Sequence, residues 1–341
     1  MIYVSLPKES ENINRRLGFY LAMEEYLASN RDEDGLFFMW QVDPTVICGR
    51  NQEVEKETDL HYCRREGIDV VRRKSGGGCV FADRSNIMFS YIAKSSDVRT
   101  TFSEYTGRVA SMLCELGLDA SDNARNDILI GDRKVSGCAF YHLPGRSIVH
   151  GTMLYDTDGR HIANALTPSR AKLSSKGVKS IESRITTIRS HLPSLTLEGF
   201  KSHARASLCG DRQIELTAED VGKIEELERH YYKPEWTFRT IGKGTGTNLK
   251  HLPGIGEIAL GYTVDTDERI DTVSLTGDFF NLADADEALT GLLKGVEPTA
   301  AALSQALDGH DLSAIIDGLD VDTLIGMITS PDSSENLCRL E

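Results

Sequence analysis

No stretch of this 341-residue chain approaches eighteen consecutive apolar residues, and the opening MIYVSLPKESENINRRL lacks the apolar core of a signal peptide. A cytoplasmic protein without a membrane partner is therefore expected. The seven cysteines (Cys48, Cys63, Cys79, Cys114, Cys138, Cys209, Cys338) form no CxxC pair and are odd in number. That pattern argues against a zinc site or a disulfide framework and for reduced thiols. Nine histidines show no HExxH-type spacing, so a structural metal is not expected. Repeats and long low-complexity tracts are missing as well.

Basic residues are scarce in one part of the chain. From Thr245 onward four Lys or Arg face eighteen Asp or Glu, a net of −14 that equals the charge of the whole chain. Residues 1–244 carry 34 of each sign. Such an acidic tail repels phosphate, which excludes nucleic acid as its partner. The change falls at the glycine-rich IGKGTGTN of Ile241–Asn248, a candidate linker. Length and 40% hydrophobic content suit two domains, residues 1–244 and 245–341.

What is present is a set of glycine-flanked, cation-bearing segments. An apolar run at Ile68–Val71 leads into Arg72, Arg73, Lys74 and Ser75, then Gly76, Gly77 and Gly78, and a second run resumes at Val80 and Phe81. Strand, glycine loop, strand is the predicted layout. Glycines let backbone N–H groups approach an anion closely, and neighbouring guanidiniums neutralise it. Further on, NDILIGDRKVSGCAFYHLPGRSIVHGTML predicts a meander over Asp127–Ile130, Arg133–Tyr141 and Ser147–Tyr155. Period-two alternation then places Lys134, Ser136, Cys138 and Phe140 on one face, and Ile148, His150, Thr152 and Leu154 on one face of the third strand.

Leu17, Tyr20, Leu21 and Leu27 recur at helical spacing, as do Tyr105, Val109, Met112, Leu113 and Leu116 within 102–117. Leu36–Gln41 and Thr45–Cys48 read as short strands, and AEDVGKIEELERHYY as the last large helix before the linker. In the tail, Ile255–Val264 and Ile270–Leu275 read as strands and Asp284–Leu293 as a helix. Helices alternating with antiparallel hairpins, with few βαβ units, indicate the α+β class.

Four blocks in order, RRKSGGGCVF, RNDILIGDRKVSG, the HGT of His150–Thr152 and the KLSSKGVKSIESRI of Lys172–Ile185, resemble the signature of lipoate-protein ligases in the biotin/lipoate ligase superfamily. The likeness runs from about Gly49 to the PEWTF of Pro234–Phe238, and the GDFF of Gly277–Phe280 is similar to the ligases' C-terminal accessory domain. The resemblance implies a catalytic domain with mixed sheets and flanking helices over 1–244, a small α+β accessory domain over 245–341, and a monomer. It also implies the reaction: lipoate and ATP, with Mg²⁺, give lipoyl-adenylate, and the lipoyl group passes to a lysine of an acceptor. The implied acceptors are lipoyl domains of 2-oxoacid dehydrogenase E2 subunits or the glycine cleavage H protein.

Carried over residue by residue, the resemblance makes Lys134, in DRKVSG, the catalytic cation touching carboxyl and phosphate oxygens. Arg73 would meet the acyl carboxyl or the adenylate phosphate. Ser75, Gly76, Gly77, Gly78, Val80 and Phe81 would line the nucleotide, with Asn86 near the phosphate. Asp127 would hold Mg²⁺ through phosphate oxygens. Ser136, Gly137, His150 and Thr152 would complete the wall, and Lys176 would belong to a loop closing over the adenylate. Ile87, Phe89, Val149 and Leu154 are candidate apolar lining. Departures from the family pattern are Ala82, where many ligases have histidine, Cys79, where a small residue such as alanine is usual, and His251-Leu252-Pro253 ahead of the expected accessory strand. An octanoyl or lipoyl transferase of the same superfamily would need a nucleophilic cysteine in SDNARND or LPGRSIVHG, and neither stretch contains one. A non-catalytic lipoate-binding module is the remaining alternative, and retention of Lys134 speaks against it.

Overall fold

The computed structural model describes residues 1–11, 13–123, 126–157, 159–167, 184–238, 246–252 and 255–329. They form two compact units. The first comprises Met1–Arg50, Val54–Ser75 and Cys79–Phe238, and the second takes in Asn51–Glu53, Gly76–Gly78 and the described residues from 246 onward.

The strands of the first unit are β1 (Ile2–Ser5), β2 (Leu36–Trp40), β3 (Thr45–Cys48), β4 (Asp69–Arg72), β5 (Val80–Ala82), β6 (Asn86–Ala93), β7 (Ala120–Asp122), β8 (Asp127–Ile130), β9 (Arg133–Leu143), β10 (Arg146–Leu154) and β11 (Gln213–Glu215). Eight form one sheet in the order β11-β1-β2-β6-β10-β9-β8-β7, and β4-β3-β5 form a second. Pairing is parallel where β1 meets β11 and β2 and where β3 meets β4, and antiparallel elsewhere. The architecture is therefore mixed α+β, as the alternation of helices and hairpins indicated. β1, which carries no turn or glycine signal ahead of it, was not anticipated.

Paired residues of an antiparallel ladder project to the same side. One face of the large sheet thus carries Trp40, Met88, Ser90, His150, Thr152, Gly137 and Ala139. The helix Leu17–Asn30 packs on this face, and it is buried on nearly every side, from Leu17, Phe19 and Leu21 to Leu27. The opposite face carries Phe37, Phe89, Val149 and Phe140 against the helix Val98–Glu115, with edge contacts Phe37–Phe89 and Phe102–Phe140 at 5.3 Å between ring centroids. Ile87, Phe89 and Val149 consequently fill this second core and do not share the face of His150, contrary to the expected lining; Leu154 does share it. The Val98–Glu115 helix starts four residues ahead of the expected start at 102 because the Asp97 carboxylate caps it, accepting from the Thr100 N–H at 3.0 Å.

The second unit holds β12 (Gly246–Leu252), β13 (Gly256–Val264) and β14 (Ile270–Gly277) as an antiparallel sheet covered by helices Ala285–Leu293, Ala300–Ala306 and Val321–Thr329. Ile258, Leu260, Leu275, Phe279, Leu289, Leu303 and Leu324 make its core. β12 corrects the sequence reading, because Gly246–Asn248 of the candidate linker and His251-Leu252 are a ladder strand whose partner, β13, lies later in the chain. The first five positions of that linker, 241–245, lie outside the described residues.

Arg72 shows how the first unit is pinned. Its side chain is fully buried at the end of β4, and the guanidinium donates to the carbonyls of Trp236 (3.0 Å), Thr237 (2.9 Å from Nη2), Gly49 (3.0 Å) and Arg50 (2.9 Å). The Trp236 indole N–H returns a bond to the Arg72 carbonyl at 3.0 Å. A planar five-donor head satisfies four carbonyls, those of Gly49 and Thr237 in fully buried contacts. Arg72→Met should lower stability by roughly 3 kcal/mol or more, since it removes every one of these donors at once. Urea unfolding followed by tryptophan fluorescence checks this, and an unchanged midpoint would contradict it.

Candidate active site

The lysine of DRKVSG reaches its place through an irregularity. Along β8 and β9, Asp127 pairs with Gly137 and Ile128 with Ser136, but Leu129 pairs with Lys134, so Val135 is an extra residue. This bulge shifts the alternation by one. Lys134 therefore shares a face with Asp127, Gly137, Thr152 and His150, while Ser136 and Cys138 point to the side of the Val98–Glu115 helix. The predicted common face of Lys134, Ser136, Cys138 and Phe140 is broken at this point, and Ser136 does not join the wall assigned to it. Beyond the end of β10, the segment Arg184–Thr186 pairs with the bulged stretch: Lys134 N–H donates to the Arg184 carbonyl at 2.9 Å, and Thr186 N–H to the Lys134 carbonyl at 2.8 Å.

The Lys134 ammonium lies 2.7 Å from Asp127 Oδ1, and Arg184 donates to Asp127 Oδ2. Asp127 is almost fully buried, so its carboxylate is a fixed anchor. Gly137 makes the room. A Cβ at that position would stand 2.4 Å from Lys134 Nζ and 2.7 Å from Cε. The lysine is thus folded over a glycine and stopped by a carboxylate.

On the same face a buried polar chain runs inward. Arg73 Nε donates to Ser75 Oγ (2.8 Å), Ser75 Oγ and His150 Nε2 are 2.7 Å apart, and His150 Nδ1 lies 3.0 Å from each Glu24 oxygen. Glu24, from the Leu17–Asn30 helix, also accepts from Ser90 Oγ at 2.6 Å, which in turn accepts from the Trp40 indole N–H at 2.9 Å. Arg73 spends a further donor on the Ile47 carbonyl at 3.0 Å, and its burial lowers its pKa from the usual arginine value. Glu24 was missed from the sequence; the available signal was a carboxylate three residues from both Leu21 and Leu27 on an apolar helix stripe. Arg184 was missed too, although it lies inside the fourth block.

The other expected residues divide. Asn86 begins β6 fully buried; Thr157 donates to its Oδ1 while Nδ2 has no hydrogen-bond partner, an orphan donor on the His150 face. Thr152 Oγ1 accepts from the Gly137 N–H at 3.3 Å. Val80 turns toward the large core, and Phe81 turns away to stack on His161, 5.7 Å between centroids. Gly76, Gly77 and Gly78 group with the second unit. There the Gly77 N–H donates to the Phe279 carbonyl at 3.0 Å, and a Cβ on Gly76 would stand 2.3 Å from that oxygen. In this structure Gly77 therefore offers no free donor to an anion, and close backbone packing is what requires the glycine at 76. Lys176 lies outside the described residues.

Asp127 is poorly suited to a metal. Each carboxylate oxygen faces a protein cation, and among the described residues no group of three or more His, Cys, Asp or Glu could hold an ion. Cys138 is equally unsuited to covalent work: burial pushes its thiol up to about 12, and it lies on the far face beside Ser136 Oγ at 3.6 Å.

The family model of the lipoyl protein ligase A/B catalytic domain matches residues 17–208, and that of the bacterial lipoate protein ligase C-terminus matches residues 246–328. The chain is 31% identical over 331 residues to lipoate-protein ligase LplJ of Bacillus subtilis (strain 168), covering 94% of this chain and 98% of that one. Its fold is similar to that of P. falciparum LipL1 in complex with lipoate (TM-score 0.78, 18% identity, 96% of this chain and 99% of that one). It is also similar to a lipoate protein ligase from the bi-partite ligase and E2 lipoyl domain system of Thermoplasma acidophilum (TM-score 0.61, 23% identity, 72% and 98%). A lipoate-protein ligase A bound with ATP shares the fold as well (TM-score 0.57, 22% identity, 70% and 97%).

Two substitutions separate the roles on the two faces. Gly137→Ala should displace the Lys134 ammonium, a flexible end that yields easily, and so lower turnover by roughly 10- to 100-fold while stability changes by less than about 1 kcal/mol. Cys138→Ser should stay within roughly tenfold of the parent, because a protonated buried thiol forms no covalent intermediate. Steady-state rates with thermal unfolding test both, and an acyl thioester trapped on Cys138 would reverse the assignment.

Proposed function

Because the chain belongs to the lipoate-protein ligase family, we propose that it activates lipoate with ATP and transfers the lipoyl group to a lysine of a lipoyl-domain protein. In the first step a lipoate carboxylate oxygen attacks the α-phosphorus of ATP, and pyrophosphate leaves. In the second, the ε-amine of the acceptor lysine attacks the acyl carbonyl of lipoyl-adenylate, AMP leaves, and the amine loses a proton. The observation that carries the reading is the Lys134 ammonium, held 2.7 Å from buried Asp127 on the face shared with His150, Thr152 and Asn86.

Two anions must approach within bonding distance in the first step. A cation already fixed between them offsets the repulsion and stabilises charge that develops on the phosphoryl oxygens, without reorganising during the reaction. Lys134 supplies this and keeps its proton throughout. Asp127 is a positioning residue, which orients the ammonium and leaves its remaining N–H donors for substrate. Arg73 would meet the carboxyl end of the acyl chain, and Ser75 and His150 fix its direction. The buried Nδ2 of Asn86 suits a phosphate oxygen. Apolar side chains of the same core, Trp40, Met88, Val71 and Ala82, are the candidate lining for the acyl chain. Mg²⁺ would arrive on the phosphates of ATP. ATP and lipoate as substrates follow the relatives solved with each, and E2 lipoyl domains as acceptors follow the archaeal system. Among the described residues no helix is long and apolar enough to cross a membrane, which suits soluble acceptors in the cytoplasm.

Lipoate-dependent exchange of labelled pyrophosphate into ATP should occur, with octanoate accepted and biotin refused. Lys134→Ala should slow it at least ~10²-fold, the loss usual for one preorganised charge stabiliser. Exchange with biotin and none with lipoate or octanoate would overturn the reading.

A further inference from the structure

The departure at position 79 has a partner. Thr45, Val46 and Ile47 of β3 pair with Ala82, Phe81 and Val80 of β5, and one further step in this register sets Cys48 opposite Cys79. The two sulfurs are 3.3 Å apart, with Thr58 Oγ1 at 3.8 Å from Cys48 Sγ and 4.0 Å from Cys79 Sγ. Both thiols are reduced here. Directly opposed residues of an antiparallel pair have Cα atoms roughly 4.5–5.5 Å apart, inside the span of a disulfide. Closing the bond requires the sulfurs to approach by little more than 1 Å, from 3.3 Å to about 2.05 Å.

We infer that Cys48 and Cys79 form a reversible redox site, oxidised by a low-molecular-weight disulfide to a cross-strand bond that slows the ligase reaction. Cys79 is the entry point because it is half-buried, whereas Cys48 is buried. The small disulfide RSSR exchanges with Cys79 to give a mixed disulfide and one RSH. Cys48 then attacks the Cys79 sulfur as thiolate, and the second R group leaves as thiolate and takes up the proton Cys48 released. Two protein thiols are oxidised and one RSSR is reduced to two RSH, so atoms and electrons balance. In the reduced pair the hydrogen bond from Cys79 holds the Cys48 thiol below its usual range, while the same bond and burial hold the Cys79 thiol well above its own. Once Cys79 is a mixed disulfide that donor is gone, and Thr58, Arg72 and Arg73 remain to favour the Cys48 thiolate in the closing step.

The position of the pair explains why closure would reach the site. The Cys48 carbonyl accepts from the Arg73 N–H at 2.9 Å, and Arg73 holds Ser75. Cys79 leads into Val80 on the same strand that carries Ala82, and both pack in the core facing Trp40 and Met88. Drawing β5 against β3 moves the backbone that carries Arg73 and the proposed acyl lining. The effect on rate rests on the ligase reading, while the bond itself does not.

The test uses the full chain equilibrated with graded mixtures of reduced and oxidised glutathione, trapped with N-ethylmaleimide, mapped by peptide mass spectrometry and assayed for pyrophosphate exchange. The expected product is a Cys48–Cys79 cross-link with loss of two titratable thiols, a fall in exchange of at least about tenfold, and recovery with dithiothreitol. Cys79→Ala and, separately, Cys48→Ala should keep the reduced rate within about twofold and lose the response. Glutathione adducts on exposed Cys114 without the cross-link would overturn the proposal, as would a cross-link that leaves the rate unchanged. Absence of exchange in the fully reduced chain would defeat the ligase reading instead, with the peptide map still deciding whether the bond forms.

Discussion

One extra residue, Val135, decides which side of the eight-stranded sheet carries the Lys134 ammonium. Without it, strict alternation would send Lys134 to the side of Cys138, Phe140 and the Val98–Glu115 helix, where an ammonium would have to be desolvated among aromatic rings. With it, the ammonium meets Asp127 and the open face of Gly137. A register shift is a discrete event, since half a shift leaves neither set of ladder hydrogen bonds intact. The site is therefore fixed by backbone pairing, reinforced by Arg184–Thr186, which supplies the partners that β10 no longer provides beside Lys134.

The second fixed element is a carboxylate in the core. Glu24 is fully buried, a placement that costs several kcal/mol unless the charge is satisfied. Here it meets His150, Ser90 and, at 3.4 Å, the Tyr141 hydroxyl, so one side chain of the Leu17–Asn30 helix is tied to β6, β9 and β10 at once. Such a network tolerates one arrangement and resists slippage, because any displacement leaves a buried polar atom unpartnered. Its outer end is Ser75 and Arg73, so the rigidity of the helix–sheet core extends to the groups assigned to the acyl carboxyl.

The local chemistry was legible in the sequence wherever a residue type has few alternatives. Thr45–Cys48 and Asp127–Ile130 match the structure residue for residue because β-branched runs bounded by turn residues admit little else. Lys134, Asp127, His150 and Thr152, which the resemblance assigned to one site, share a face, although not the face that strict alternation gave Lys134. What escaped was set by partners distant in sequence. Glu24 reads as a surface charge until His150 lies across from it. The shift at Val135 leaves no mark in DRKVSG, since its cause is pairing on both sides of β9. β1 and β12 form because the strands beside them, β2 and β13, lie later in the chain. Of the two neighbouring arginines after β4, pattern could not say that Arg72 is consumed by backbone carbonyls while Arg73 faces Ser75.

These placements bear on why a sheet of this kind would use a nucleotide at all. Acyl transfer needs a carbonyl bonded to a good leaving group, and an enzyme can supply one through its own thiol or through an adenylate. Among the described residues of β8, β9 and β10, the face shared with Lys134 carries Asp127, Leu129, Gly137, Ala139, Tyr141, Leu143, Arg146, Ile148, His150, Thr152 and Leu154, and no cysteine. The one thiol on these strands, Cys138, is on the other face and is pushed up to about 12 by burial. A free carboxylate arriving at this face meets cations and hydrogen-bond donors, which stabilise anionic oxygen but offer no acyl acceptor. In the proposed reading activation comes from the second substrate, and the ammonium of Lys134 between two anions is the arrangement that lets a phosphoryl group provide it. The bulge that turns Lys134 toward Asp127 also leaves Cys138 behind, so one backbone irregularity puts the ammonium and the thiol on opposite faces of the sheet.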